Sequence, residues 1–471
     1  MTRKYAIRLK KKDTLIQLAF GTVFLFCCQF SQIKEFSYIA ILNFLFFLAY
    51  IAKVNPFMYV KYFALLFMFL GTGAGVIVAE FDSIYLYELA TESRYAGSLP
   101  LLMTGFWMLF ATLLIFEKQN NFDEIRCKNI KLTNRYIKLV NTATLVVLIL
   151  FLIVVFYATR EPPAFALGID RFLYAMNYSN KMNFFVRLIV RLSPLLLLFP
   201  LLSISYGNKI VGSITVGLYI LYMLWTGSKF GSFFTMMCVF LLINYESIKN
   251  RGLAYGKRVL TKIGIIFAGL IICAVVINGI LGGNSAGGTY YLWNRVAQQG
   301  QEWWRTYNLY HGSIHPSEFR NEINAIINPK KEIEDNIGSQ YGIYKIMYLT
   351  TPAPIVNLKL ATGSRYTEAG YACAFYYFGS FGVIFFSVVM GVVIAATING
   401  FIKAFNDGDI LKMLLLVRLF NVERTALSMF TFYVMFDVFS IITYLILFFG
   451  YKKSFIFDYC RGKILLRVMN K

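Results

Sequence analysis

An all-α polytopic membrane protein is the fold class this sequence predicts, and three observations predict it. Of 471 residues, 58% are hydrophobic and 15% charged, and the mean hydropathy is +0.60, a balance that soluble domains do not carry. The apolar residues are gathered in runs long enough to cross a bilayer as helix, which takes about 20 residues. The formal charge of +22 sits in clusters between those runs. That distribution reads as a topology signal and as attraction to anionic lipid, and it argues against nucleic acid as a partner.

The runs, in order, cover 14–31, 37–52, 60–80, 99–116, 139–158, 186–205, 209–226, 230–246, 263–282, 375–401 and 427–450. A weaker one lies near 409–422, Asp-Ile-Leu-Lys-Met-Leu-Leu-Leu-Val-Arg-Leu-Phe-Asn-Val. Together they predict about 12 transmembrane helices. The first run has a basic flank but no small-residue cleavage site, so it reads as a retained first helix. Both termini are expected in the cytoplasm. The clusters at 118–138, at 249–262 and in the tail from Lys452 to Lys471 then fall on one side, provided the weak run is counted. The chain divides accordingly. Residues 1–282 form an N-terminal membrane region of about nine helices, and 283–370 a large outer loop. Residues 371–471 form a C-terminal region of about three helices with a basic cytoplasmic tail.

Two pentads share one pattern: Thr-Gly-Ser-Lys-Phe at 226–230 and Thr-Gly-Ser-Arg-Tyr at 362–366. Both are expected on the outer side. A glycine with an open backbone N–H, a hydroxyl and a cation can hold a phosphate or diphosphate. The same residues also suit an ordinary turn with a snorkelling cation. Lys229 and Arg365 of the pentads join other outer-side cations: Arg160, Arg171, Arg187, Arg191 and Arg424, the last read as part of a turn with Glu423. Arg418 lies within a span. So many arginines with few carboxylates nearby suit a polyanionic substrate, although some will be interfacial anchors.

The large loop holds Trp293, Trp303 and Trp304, both histidines of the chain (His311 and His315), and Gln-Gln-Gly-Gln-Glu-Trp-Trp-Arg-Thr-Tyr at 298–307. Trp303, Trp304 and Gln301 suit carbohydrate, with rings against sugar C–H faces and amides on hydroxyls. An interfacial aromatic belt is the competing account. His311 and His315 have helical i, i+4 spacing but no third ligand in view, so no metal is expected. No phosphate-binding P-loop, serine nucleophile elbow or dinucleotide fingerprint is present, and no cofactor is expected. The outer loop has no cysteine and hence no expected disulfide.

In length and organisation the chain resembles the Wzy-type polymerases of O-antigen and capsule repeat units. Three features carry the resemblance. They are the short turn Thr-Gly-Ser-Lys-Phe-Gly between mid-chain spans, the large outer loop, and the re-entry segment Gly-Ser-Arg-Tyr-Thr-Glu-Ala-Gly-Tyr-Ala-Cys-Ala-Phe-Tyr-Tyr-Phe-Gly-Ser-Phe-Gly-Val. Lys229 stands where many relatives have Arg, a point charge in place of a fork.

The resemblance implies a GT-C-like, metal-independent glycosyltransferase in the bacterial inner membrane, its large loop periplasmic. The donor is a growing glycan on undecaprenyl diphosphate, and the acceptor a single undecaprenyl-diphosphate-linked repeat unit. The bilayer, a chain-length regulator and a flippase are the expected partners. A diphosphate leaving group without metal needs cations, and the candidates are Lys229, Arg365, Arg191 and Arg424, with Arg171 weaker. Glu368, Glu302 and His311 are the candidate bases for the attacking hydroxyl. Glu368 is preferred because it follows Arg365 at the membrane border; a structural ion pair of those two is the alternative. A lipid-linked oligosaccharide flippase and an O-antigen ligase are the rival functions.

Overall fold

A computed structural model of the protein describes residues 11–119, 134–164, 174, 177–178, 182–227, 231–281, 293–328, 341–361, 365–366, 368–449, 453–460 and 463–470. In chain order, α1 is Lys11–Gln29, α2 Lys34–Val54, α3 Met58–Lys61 and α4 Phe63–Phe81. A two-residue hairpin, β1 (Tyr85–Leu86) and β2 (Thr91–Glu92), leads to α5 (Leu99–Gln119) and α6 (Asn134–Ala158). Then come α7 (Phe184–Leu196), α8 (Leu198–Tyr206), α9 (Lys209–Trp225), α10 (Gly231–Ile243), α11 (Tyr245–Arg251) and α12 (Leu253–Leu281). In the predicted loop lie α13 (Gln301–Tyr310), α14 (Arg320–Ile327), α15 (Gly342–Thr350) and α16 (Ala353–Ala361). The chain continues through α17 (Gly370–Asn406), α18 (Ile410–Met429), α19 (Phe432–Met435) and α20 (Val438–Phe449), and then β3 (Lys453–Cys460) and β4 (Lys463–Asn470).

Each apolar run read from the sequence lies on one or more of these helices. Among the described residues, five helices are long and apolar enough to cross a membrane: Lys34–Val54, Phe63–Phe81, Leu99–Glu117, Tyr136–Ala158 and Gly370–Asn406. A sixth candidate is α7 together with α8, bent by 43°. Pro200, four residues after Leu196, has no N–H to bond across the break at Leu197, and its ring crowds the Leu196 carbonyl. Asp13–Gln29, Lys209–Trp225, Phe234–Ile243 and Val438–Leu447 are apolar but shorter. The protein is therefore a helical membrane protein. Among the described residues, strands occur in β1–β2 and in an antiparallel tail hairpin, β3–β4, paired from Lys453↔Asn470 to Cys460↔Lys463.

Two features differ from the sequence reading. Glu423 and Arg424, expected in a turn, lie inside α18, because the weak apolar run continues helically to Met429. The re-entry helix α17 is broken at Gly379, where φ +61 and ψ −147 depart from helical values. Only glycine adopts that backbone readily.

The helices gather into two compact units. One comprises residues 1–125, 263–396 and 423–435, and the other 126–262, 397–422 and 436–471. In the first, α1, α2, α4 and α5 pack together, and α13 lies on both α4 and α15. Two glycines make that docking possible. A Cβ on Gly75 would stand 2.4 Å from the Gly300 backbone N, and one on Gly300 would stand 2.3 Å from the Val76 backbone N. Several polar side chains within the bundle find partners nearby. Glu80 accepts from the Ser98 backbone N–H (2.6 Å) just before α5. Lys61 Nζ reaches Glu117 at 2.7 Å, with Tyr62 donating to the same carboxylate at 2.6 Å. In the second unit, α6 packs on α8 and α9, and α7 on α6. Asn183 caps α7 by accepting from Phe185 N, and Asn208 caps α9 by accepting from Ile210 N and Val211 N.

Candidate functional site

The segment between α16 and α17 carries the candidate site. Gly370, which opens α17, lies so close to α18 that a Cβ would stand 1.8 Å from the Leu427 carbonyl oxygen. That approach brings the residues just before Gly370 against the end of α18. Glu368 is one of four described non-glycine residues with positive φ, at +61. Such a conformation costs of order 1–3 kcal/mol and persists only where surroundings enforce it.

Here the surroundings are polar. Ser428 Oγ donates to Glu368 Oε1 at 3.2 Å, and Thr72 Oγ1 of α4 donates to Oε2 at 3.4 Å. Burial pushes the Glu368 carboxyl up to about 7, while the Ser428 hydroxyl, the Arg424 charge and Thr72 act in the opposite direction. The side chain remains partly accessible. Tyr371, in the first turn of α17, shares a hydrogen bond with Ser387 Oγ at 3.3 Å. Arg365 lies half-buried in the same segment, its guanidinium 5.4 Å from the centre of the Tyr344 ring. The site thus offers a carboxyl that titrates near neutrality, two hydroxyls that orient it and a guanidinium that acts on its charge. These are the parts of a general base.

Other candidates fall elsewhere. Trp303 and Trp304 of α13 are 0% exposed, and their indole N–H groups donate to the backbone carbonyls of Ser98 (3.1 Å) and Arg94 (2.8 Å). Neither ring presents a face to a sugar in this arrangement. Gln301, 1% exposed, donates to Glu88 at 2.6 Å; Lys359 reaches the other oxygen of Glu88 at 2.6 Å. Glu302, also 1% exposed, accepts from Thr350 Oγ1 at 3.0 Å. Burial pushes its carboxyl up to about 8; the Thr350 bond opposes this and the Glu88 charge reinforces it.

His311 ends α13 and lies exposed, its ring 4.7 Å from that of Tyr307. His315 lies beyond the helix end and stacks on Tyr376 at 4.5 Å. The i, i+4 spacing therefore does not place the two histidines on one helix face. No metal-binding group of three or more His, Cys, Asp or Glu occurs among the described residues. Arg418 is taken up by Asp437 (3.1 Å) and Thr443 (3.2 Å). Arg191 is exposed on α7, in the other compact unit. Lys229 and Arg171 lie outside the described residues, as do Thr362, Gly363 and Ser364 of the second pentad. The two pentads belong to different units.

Sequence reasoning missed Thr72, Ser428, Glu88 and Glu322. Glu322 of α14 accepts from Tyr377 OH at 2.7 Å and from the Gly342 backbone N–H, and burial pushes its carboxyl up to about 7. Thr72 carried a signal, a hydroxyl between two glycines inside an apolar span. Ser428 and Glu88 carried none.

Residues 336–445 match a family described as "Family of unknown function (DUF6418)". The matched stretch contains Arg365, Glu368, Arg424 and Ser428, but not Thr72 or α13. No curated protein and no solved structure matches the chain.

Proposed function

We propose that the protein is a polymerase of lipid-linked oligosaccharide repeat units, acting by glycosyl transfer with Glu368 as the general base. One observation carries this reading. A partly accessible carboxyl is held in a left-handed backbone conformation by Thr72 and Ser428, under the charge of Arg424 and three residues after Arg365.

The acceptor's sugar hydroxyl attacks the anomeric carbon of the donor. The new C–O bond forms as the bond to the diphosphate breaks, and undecaprenyl diphosphate leaves with the bonding electrons. Glu368 takes the hydroxyl proton. Arg365 and Arg424 offset the charge that develops on the leaving diphosphate, a role for preorganised cations where no metal acts. In this reading the remaining apolar helices complete about 12 spans in a GT-C-like arrangement, with the 283–370 segment outside the bacterial inner membrane. A flippase supplies the repeat units and a chain-length regulator sets the product size.

The test is the surface polysaccharide of a strain lacking the gene, complemented with wild type or Glu368→Gln and resolved on a gel. Wild type restores a ladder. Glu368→Gln, present in the membrane at wild-type level, leaves a single repeat on the core, with chain extension down at least 100-fold, the usual share of a general base. Absence of any repeat in the deletion strain assigns the chain to a flippase or ligase. A full ladder with Glu368→Gln removes Glu368 from the chemistry.

A further inference from the structure

The segment that carries Glu368 is held at both ends. Gly370 fixes the end that enters α17, against the Leu427 carbonyl oxygen. At the other end stands Tyr366, 3% exposed, which the proposed chemistry does not use. Its hydroxyl donates to the Glu88 backbone carbonyl at 2.7 Å and accepts from Thr351 Oγ1 at 3.4 Å. The first of these is shorter than either hydroxyl bond to the Glu368 carboxyl, at 3.2 and 3.4 Å.

The acceptor is itself fixed. Glu88 lies in the turn of the β1–β2 hairpin, beside the buried Leu89. Its carboxylate takes Gln301 of α13 on one oxygen and Lys359 of α16 on the other. Lys359 Nζ also lies 4.9 Å from the centre of the Tyr366 ring. One short hydrogen bond thus ties the segment to the hairpin and, through it, to α13 and α16, all within the first compact unit.

Backbone strain collects round the same contacts. The other described non-glycine residues with positive φ are Ser83, Ala90 and Phe430. Ser83 precedes β1, Ala90 lies in the hairpin turn two residues after Glu88, and Phe430 follows Ser428 by two. Such conformations persist only where the surroundings over-determine them. A left-handed Glu368 therefore needs a rigid frame, and loss of one anchor lets its backbone relax toward the ordinary regions.

We propose that Tyr366 is a positioning residue for Glu368. Its hydroxyl, bonded to the Glu88 carbonyl, fixes the backbone two residues before the carboxyl, so that the carboxyl meets Thr72 and Ser428. The proposal rests on the reading of Glu368 as the base. A reacting group misplaced by about 1 Å can cost about 100-fold in rate. Tyr366 touches no substrate in this role, so it acts on kcat and leaves KM alone.

The test uses the full-length protein in detergent, with lipid-linked repeat units extracted from the deletion strain as substrate. Tyr366→Phe removes one oxygen and keeps the buried ring. It is expected to lower kcat about 10- to 100-fold, with KM within about twofold of wild type. Tyr348→Phe, which removes a hydroxyl bond from α15 to Asn357 of α16, leaves both constants unchanged. Should Tyr366→Phe fold poorly, Thr351→Val removes the second bond to the same hydroxyl and lowers kcat about two- to fivefold. A further readout needs no glycan: labelling of Glu368 by dicyclohexylcarbodiimide, followed by peptide mass spectrometry. Tyr366→Phe raises the labelling rate about threefold or more, because the carboxyl leaves its two hydroxyls. If wild type extends no chain while labelling still rises in the variant, the polymerase reading fails and the positioning role stands. Wild-type kcat and labelling in Tyr366→Phe overturn the proposal. A raised KM at unchanged kcat also overturns it, making Tyr366 a substrate contact.

Discussion

Two short helices, α7 and α13, place their polar residues in opposite ways. α7 keeps Arg187 and Arg191 exposed among apolar neighbours and buries Val186, Ile189 and Ser193. α13 is the more polar of the two, yet Gln301, Glu302 and Thr306 are all 1% exposed or less, beside two fully buried tryptophans. The difference teaches that residue type alone does not separate a binding surface from a core. Protein packs around α13 on α4 and α15, so Trp303 and Trp304 donate to backbone carbonyls, Gln301 donates to Glu88 and Glu302 accepts from Thr350. In α7 the two charges are exposed and meet no partner among the described residues.

The largest expected effect tests how tightly α13 is docked. Gly300→Ala or Gly75→Ala drives a methyl group into backbone and should destabilise by at least about 3 kcal/mol, seen as loss of folded protein in detergent. Gly217→Ala in α9 meets nothing within 4 Å and should melt like wild type. Equal melting of all three variants would break the contrast. Next, Trp303→Ala should cost about 3–5 kcal/mol as a cavity with an orphaned carbonyl, against about 0.5 kcal/mol or less for Arg191→Gln. A Trp303→Ala protein of normal stability would return that ring to the list of ligand-binding groups.

A pH series sharpens the comparison further. Glu302 titrates normally when unfolded and near 8 when folded. The folded state therefore holds the proton more tightly, and stability falls as pH rises from about 4.5 to about 8. Glu302→Gln should abolish that decline, so its melting temperature should match wild type near pH 5 and exceed it at pH 8. The smallest effect concerns Glu368. A base must be ionised, so chain extension should rise with pH through about 7. Ser428 favours the ionised form, and Ser428→Ala should move this acid limb upward. An unmoved limb in initial-rate measurements would detach Ser428 from the base.

Much of the fold was legible. The apolar runs mark helices because a backbone in lipid must satisfy its own hydrogen bonds, and the run at 409–422, weak in hydropathy, is helical as well. Of the candidate site, Arg365 and Glu368 were legible from their place at the edge of a span. Thr72 and Ser428 were not: they lie 296 and 60 residues from Glu368 in sequence and meet it only through packing. The aromatic run of the large loop misled for a related reason. Trp, Gln and Glu serve equally in a sugar site and in a buried helix, and only the neighbours decide between them.

The sequence by itself determined that this chain is a helical membrane protein, where its apolar helices lie, and that an acid and an arginine stand at the mouth of α17. Those features depend on local composition and on the solvation of a backbone in lipid, which a linear chain records. Tertiary structure decided that Trp303 and Trp304 are core, that Glu302 is sealed beside Thr350, and that Glu368 is held by two hydroxyls from distant helices. It also left Arg187 and Arg191 exposed on α7. Burial and hydrogen-bond partners are set by which surfaces meet, and short glycine contacts such as Gly75 with Gly300 decide that in space.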